Sequence, residues 1–324
     1  MTSYLESLSL LLVYSAIAIY AAAFVAYTID LARRAAPAPA PAREPALAGA
    51  QAPPRRATYT GADAADHTEP DNPRASKAVR VGYALTVLGW VFQVGATVLR
   101  GVAADRVPWA NMFEFSLTGT ALIIGTFLIV SIRVHLAYLG TAVLGLVVLL
   151  LGVATVSFYV PVVPIMPALQ SGWLVIHVMI AMLATAFLGL AFLVSVLFLI
   201  KRRGQAKGTP RIQRLLATVP STEALDRLAY RMTTIGFILW TFTLIAGAIW
   251  ASRAWGRFWG WDVKEVWTFV IWVLYAAYMH ATATRGWRGT RAAWLSIVGF
   301  AAVIFNFAIV NVFFTGLHSY SGLK

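Results

Sequence analysis

Eight apolar runs set the limits on this fold, at roughly residues 5–31, 79–99, 112–132, 136–159, 173–200, 229–250, 266–284 and 292–315. Each is about 19–28 residues long, and a helix needs about 20 apolar residues to cross a bilayer. A lone run in lipid must satisfy its own backbone, so each is read as a helix. The expected fold class is therefore all-α: a polytopic integral membrane protein with about eight transmembrane helices. Composition agrees, with 60% hydrophobic residues, 12% charged residues and a mean hydropathy of +0.73. The first run lacks a basic leading segment, is long for a signal peptide and is followed by Arg33 and Arg34. It reads as a retained anchor.

Residues 35–77, beginning "AAPAPAPAREPALAGAQAPPRR", are of another kind. Alanine, proline and charge leave almost nothing to bury, which predicts a flexible, partly extended linker with His67 in solvent. The chain divides accordingly into an N-terminal transmembrane anchor (1–32), a disordered cytoplasmic linker (33–78) and a seven-helix membrane domain (79–324).

The net charge of +13 invites a nucleic-acid reading, but the basic residues follow the membrane topology. With the N-terminus outside, twenty Lys and Arg fall on inner segments and six on outer ones: Arg100, Arg106, Arg253, Arg257, Lys264 and Lys324. That is a strong positive-inside asymmetry. It predicts a cell-membrane protein with both termini outside, no nucleic-acid partner, and the bilayer as surroundings. Within the inner basic cluster, "STEALDRLAYRM" (221–232) follows Pro220. Ser221 or Thr222 is a candidate N-cap, and Leu225, Leu228 and Ala229 share a face. The stretch reads as an interfacial helix leading into the sixth span.

No cysteine is present, so thiol chemistry and sulfur ligation are excluded. Five histidines remain. His177 lies one turn into the fifth span and His318 just past the eighth, both at the outer level. His280 is thirteen residues beyond Trp267, about 20 Å deeper at 1.5 Å per residue. Ionisable residues at membrane depth are functional suspects. Between spans six and seven, outside, runs "WGRFWGWDVKEVW" (255–267), with Trp255, Trp259, Trp261 and Trp267 in thirteen positions. An aromatic belt accounts for one or two tryptophans per span end, not four beside Gly256 and Gly260. Imidazole is the natural haem iron ligand in a chain without cysteine, and flat indoles suit a flat macrocycle. Small residues accompany the histidines: Ala276 and Ala277 before His280, Ala181 and Ala184 after His177. They leave room for a bulky ligand or for close helix packing. No nucleophile or acid–base pair stands out; Glu114, Asp262 and Glu265 read as fold elements.

"WGRFWGWDVKEVW" resembles the tryptophan-rich WWD domain (here 250–267) of haem-handling membrane proteins. The fuller match is to the CcsA/ResC-type subunit, CcsB in some lineages, of the System II cytochrome c synthetase. "SGWLVIHV" (171–178) and "GLHSYSG" (316–322) resemble that family's two outer histidine motifs, and "YMHATATRGWRG" (278–289) its transmembrane histidine segment. "LDRLAYR" (225–231), "GF" (236–237) and "GAIWA" (247–251) resemble its lead-in to the loop. "PWANMFEF" (108–115) resembles a further outer motif. The likeness covers about residues 80–324. Val263 departs from the proline the family usually carries in "WDPKE". Proline fixes φ, so valine loosens the loop slightly.

The resemblance implies cytochrome c biogenesis. Haem b, the transported substrate, is taken from the cytoplasmic side and presented outside to the CXXCH motif of apocytochrome c. Two thiols there add to its vinyl groups. His177 and His318 would be the axial ligands of the outer haem. His280 would be one ligand of an inner haem whose second ligand comes from a CcsB/ResB-type partner subunit. His135, at an inner helix end, reads as structural. Trp255, Trp259, Trp261, Asp262 and Trp267 would shape the outer site. In it, Asp262 would fix the loop through backbone hydrogen bonds, and Arg253, Arg257 or Lys264 would receive the propionates. On this reading the chain is the haem-presenting part of a haem lyase-type complex. A CcmC-like or CcmF-like System I loader or ligase shares the WWD loop, and a non-haem membrane permease is the reading from outside haem handling.

Overall fold

The structure, a computed structural model, describes residues 2–36, 76–162, 170–284 and 287–318. Most of the expected linker, with His67, lies outside the described residues, as do Arg285, Lys324 and the end of the "GLHSYSG" motif. The described residues form nine α-helices and a 3₁₀ turn, with no strand.

Eight helices are long and apolar enough to cross a membrane. In chain order they are α1 (Thr2–Ala35), α2 (Lys77–Ala104), α3 (Met112–Arg133), α4 (Gly140–Ser157, entered through the 3₁₀ turn Ala137–Leu139), α5 (Gly172–Lys207), α7 (Thr222–Trp255), α8 (Val263–Ala283) and α9 (Thr290–Phe313). The short α6 (Pro210–Ala217) joins α5 to α7. The chain is a multi-pass membrane protein of all-α class.

Short polar signals set the helix starts. Asn111 accepts the Glu114 N–H at 2.9 Å and opens α3. Ser76 caps α2 and Ser221 caps α7, each accepting the N–H three residues on. Such caps satisfy donors that a helix start leaves open. The amphipathic stretch after Pro220 is not a separate interfacial helix. It continues unbroken into the span, because Leu225 and Ala229 are buried against the bundle instead of lying on a membrane surface.

Two bundles meet along α5. Helices α1 to α4 share a core with Tyr20, Phe113, Phe127, Leu144 and Leu190. Helices α5, α7, α8 and α9 share another, with Leu188, Trp240, Tyr275 and Phe300. At 36 residues α5 belongs to both; its most extensive packing is on α7. The start of α1 and the position of His318 lie at the same end of the molecule as residues 255–263, called here the tryptophan end. Arg33, Lys77, Lys201 and Arg288 lie at the opposite end.

A buried ion network closes the tryptophan end of the first bundle. Arg100 reaches Glu6 at 3.0 Å and Glu114 at 3.1 Å, and Arg106 reaches Glu114 at 2.7 Å. The Glu114 side chain is fully buried and also accepts the Ala110 N–H. Tyr159 donates to Glu6. Four charges from α1, α2, the α2–α3 connection and α3 therefore cancel out of water.

Candidate functional site

At the tryptophan end, between α3 of the first bundle and the helices of the second, lies a cavity of about 250 Å³. His177 and His318 both line it, 141 positions apart in the chain, with Trp250, Trp259 and Lys264 among its other walls.

The His177 ring is fixed by α7. Its Nδ1 is 3.0 Å from the Thr243 carbonyl oxygen. A carbonyl only accepts, so Nδ1 carries the proton and Nε2 keeps its lone pair. The ring lies on Gly247, where a Cβ would stand 2.8 Å from His177 Cε1, a separation real contacts do not show. Trp250 stacks beside it, with centroids 5.9 Å apart and planes 10° off parallel. Thr243, Gly247 and Trp250 fall at i, i+4 and i+7, one face of α7.

His318 follows the end of α9 and is fixed by the loop. Its Nδ1 is 2.7 Å from Asp262 Oδ2, while Asp262 Oδ1 accepts the Leu317 N–H at 3.1 Å. The hydrogen bond from His318 is the largest influence holding the Asp262 carboxyl below the ordinary aspartate value. His318 meets Trp250 edge-on at 5.5 Å and Trp255 edge-on at 4.8 Å. Trp250 thus touches both histidines.

The loop is built around Glu265. Its Oε2 accepts the N–H groups of Gly260 and Asp262 at 2.8 and 3.1 Å, and Asp262 and Glu265 form a capping box at the start of α8. Arg257 pairs with Glu265 at 3.5 Å. Gly256 turns α7 off at φ 69°, the left-handed region glycine favours. Trp261 occupies the same region at φ 61° without being glycine. Its indole is 77% exposed and meets Trp259 edge-on at 5.8 Å.

The site residues singled out in the sequence separate into groups. His177, His318, Trp255 and Asp262 are joined by direct contacts or through Trp250. Trp259 lines the cavity, and Trp261 stands outside it on Trp259. Trp267 does not line it; its ring packs on Phe305 at 4.3 Å between α8 and α9. His280 lies far down α8 on a face exposed with Phe269 and Val273, and no hydrogen bond holds it among the described residues. Of the basic candidates, Arg257 is paired to Glu265, Arg253 lies over the Trp173 ring at 5.9 Å, and Lys264 lines the cavity and donates to the Asn311 side chain.

Comparison with known proteins decides the family. The profile described as cytochrome C assembly protein matches residues 109–318. The chain belongs to the cytochrome c assembly family. It is 32% identical over 260 residues to a cytochrome c biogenesis protein CcsA from Guillardia theta, covering 75% of this chain and 86% of that one. It is 34% identical over 277 residues to a CcsA from Prochlorococcus marinus, covering 77% and 85%. Against a CcsA from Synechococcus (strain RCC307) identity is 38% over 192 residues, covering 52% and 62%. The chain is of CcsA type and acts in cytochrome c biogenesis.

The matched region of this assembly-family protein starts at Trp109, which lines the cavity, and ends at His318. It leaves out α1 and α2. Three contributors to the site were not singled out in the sequence. Trp250 stood in the quoted "GAIWA" without a role, although its spacing from Gly247 and Thr243 marks a helix face. The Thr243 contact is to backbone, which a residue type does not report. The Asp262–His318 bond joins positions 56 apart and has no local pattern.

Proposed function

We propose that this chain carries haem b across the cell membrane and presents it at the outer face for covalent attachment to apocytochrome c. His177 and His318 ligate its iron there. The observation that carries this reading is the shared state of the two histidines. Each spends Nδ1 on a fixed acceptor, and no hydrogen bond claims either Nε2 among the described residues. Two imidazoles anchored through Nδ1, with Nε2 left to a ligand on one mostly apolar cavity, suit axial ligation of a flat macrocycle.

The surrounding residues have distinct tasks. Trp255 and Trp250 hold the histidines apart from solvent, and Trp259 and Trp261 offer indole surface at the rim. Lys264, on the cavity wall, is the basic candidate for a haem carboxylate, since Arg257 is paired with Glu265 and Arg253 lies over Trp173 outside the cavity lining. The attachment step adds each cysteine S–H across a vinyl group, giving one C–S and one C–H bond with no leaving group. The chain contributes ligation, orientation and exclusion of water to this step. That makes it the haem-presenting subunit of a haem lyase-type synthetase.

His280 belongs, on this reading, to an inner site. It is exposed on α8, so its haem would be completed by a ligand from a CcsB/ResB-type partner subunit docked on that face. The basic residues gathered opposite the tryptophan end support an outside location for both termini and the WWD loop. The division into anchor, cytoplasmic linker and haem-handling domain (79–324) follows the same topology.

The test is substitution of His177 or His318 by glycine in the full chain with its partner subunit. Cytochrome maturation should collapse and the haem spectrum change, and added imidazole should restore part of both. Normal maturation with an unchanged spectrum in both variants would reduce the tryptophan loop to an aromatic belt.

A further inference from the structure

Asp262 is held at several points. It opens α8 as N-cap, accepts the Leu317 N–H at 3.1 Å, and takes the Nδ1 proton of His318 at 2.7 Å. The last contact is sheltered, with side-chain exposures of 17% for His318 and 9% for Asp262. Among the described residues no such anion supports His177. Its Nδ1 faces the neutral Thr243 carbonyl at 3.0 Å. Two otherwise similar histidines therefore have supports of different charge.

We propose that Asp262 is the positioning residue of His318 and makes the two axial ligands unequal: His318 an anion-assisted, stronger donor, and His177 a weaker one. This rests on the reading that both histidines bind haem iron. A carboxylate that accepts the Nδ1 proton fixes the tautomer, aims Nε2 at the cavity and raises its basicity. A stronger donor favours ferric over ferrous iron and lowers the reduction potential. The Leu317 contact holds the backbone beside His318 with the same carboxylate, so ring direction and chain position are set together. Both oxygens are used, and this separates a carboxylate from an amide. In Asp262→Asn only one oxygen remains. If it stays on Leu317, the amide NH₂ faces His318 Nδ1, and the imidazole proton must move to Nε2, the atom that iron needs.

The experiment uses the full chain purified from membranes with its partner subunit and loaded with haem b. Asparagine is a good N-cap, so Asp262→Asn keeps the start of α8. Asp262→Ser also caps but is too short to reach His318. In both variants binding of ferric relative to ferrous haem should weaken about tenfold, the low end for loss of such a support. For one electron that is a rise of about 59 mV in midpoint potential. The second arm repeats Asp262→Asn in the His318→Gly background with imidazole supplied, where it should add no further shift. An unchanged potential in both single variants, or an equal shift in the His318→Gly background, overturns the proposal and leaves Asp262 as a loop element. If His318→Gly itself leaves the haem spectrum untouched, the underlying haem site fails instead.

Discussion

Two polar clusters lie at the tryptophan end, and they are built on opposite plans. In the first bundle both oxygens of Glu114 are taken, by Arg100, Arg106 and the Ala110 N–H, and Arg100 also reaches Glu6 and the Val160 carbonyl. In the second bundle His177 and His318 are each held by one nitrogen and keep the other. Saturation removes chemistry and leaves a brace. Half-commitment orients a group and keeps it available. What distinguishes brace from site here is the count of unclaimed lone pairs.

The widest separation between the clusters should come from Glu114→Ala. It removes the carboxylate shared by two buried guanidinium groups and should cost about 3–5 kcal/mol of stability, read as a large fall in the melting temperature of the detergent-solubilised protein. A small fall accompanied by lost maturation would make the brace part of the site. His177→Gly should do the reverse: a smaller loss of stability, about 1 kcal/mol from glycine in a helix plus the lost ring packing, and maturation reduced by more than the ~10–100-fold typical of losing a metal ligand's support.

A smaller effect is expected at Gly247. The added methyl of Gly247→Ala would meet the His177 ring at 2.8 Å. Overpacking costs about 1–3 kcal/mol, and the ring, not the helix, should yield. Haem affinity should therefore fall more than the melting temperature does. Equal losses would show that Gly247 serves helix packing alone. The smallest change is expected from Trp261→Gly. Left-handed backbone costs a non-glycine residue about 1–2 kcal/mol, so stability should hold or rise slightly while maturation weakens. A drop in melting temperature would place Trp261 with the brace.

The eight spans were legible because the bilayer demands length and apolarity, which composition alone reports. That the tryptophan loop, His177 and His318 come to one end of the bundle was legible from their places relative to the spans. What the sequence did not carry were contacts that need the fold. The Thr243 carbonyl has no residue signature. Asp262 is local to the loop, and its pairing with His318 appears only when the ends of α8 and α9 meet. Trp267 looked equivalent to its three neighbours, but helical phase sends it into the α8–α9 core. The stretch 221–232 looked interfacial because its buried face matches either a membrane surface or a bundle.

The unlike supports of the two histidines also bear on what mutation can reach. The His177 support is a main-chain oxygen, which no codon change removes, and every variant at position 243 except a helix breaker still presents it. The His318 support is a side chain, one nucleotide change from asparagine, alanine, glycine or glutamate. Heritable adjustment of this site is therefore one-sided. One histidine is held constant by the geometry of a helix, and the support of the other can drift. On the proposed haem reading, Asp262 is a position at which this support can change without rebuilding the bundle.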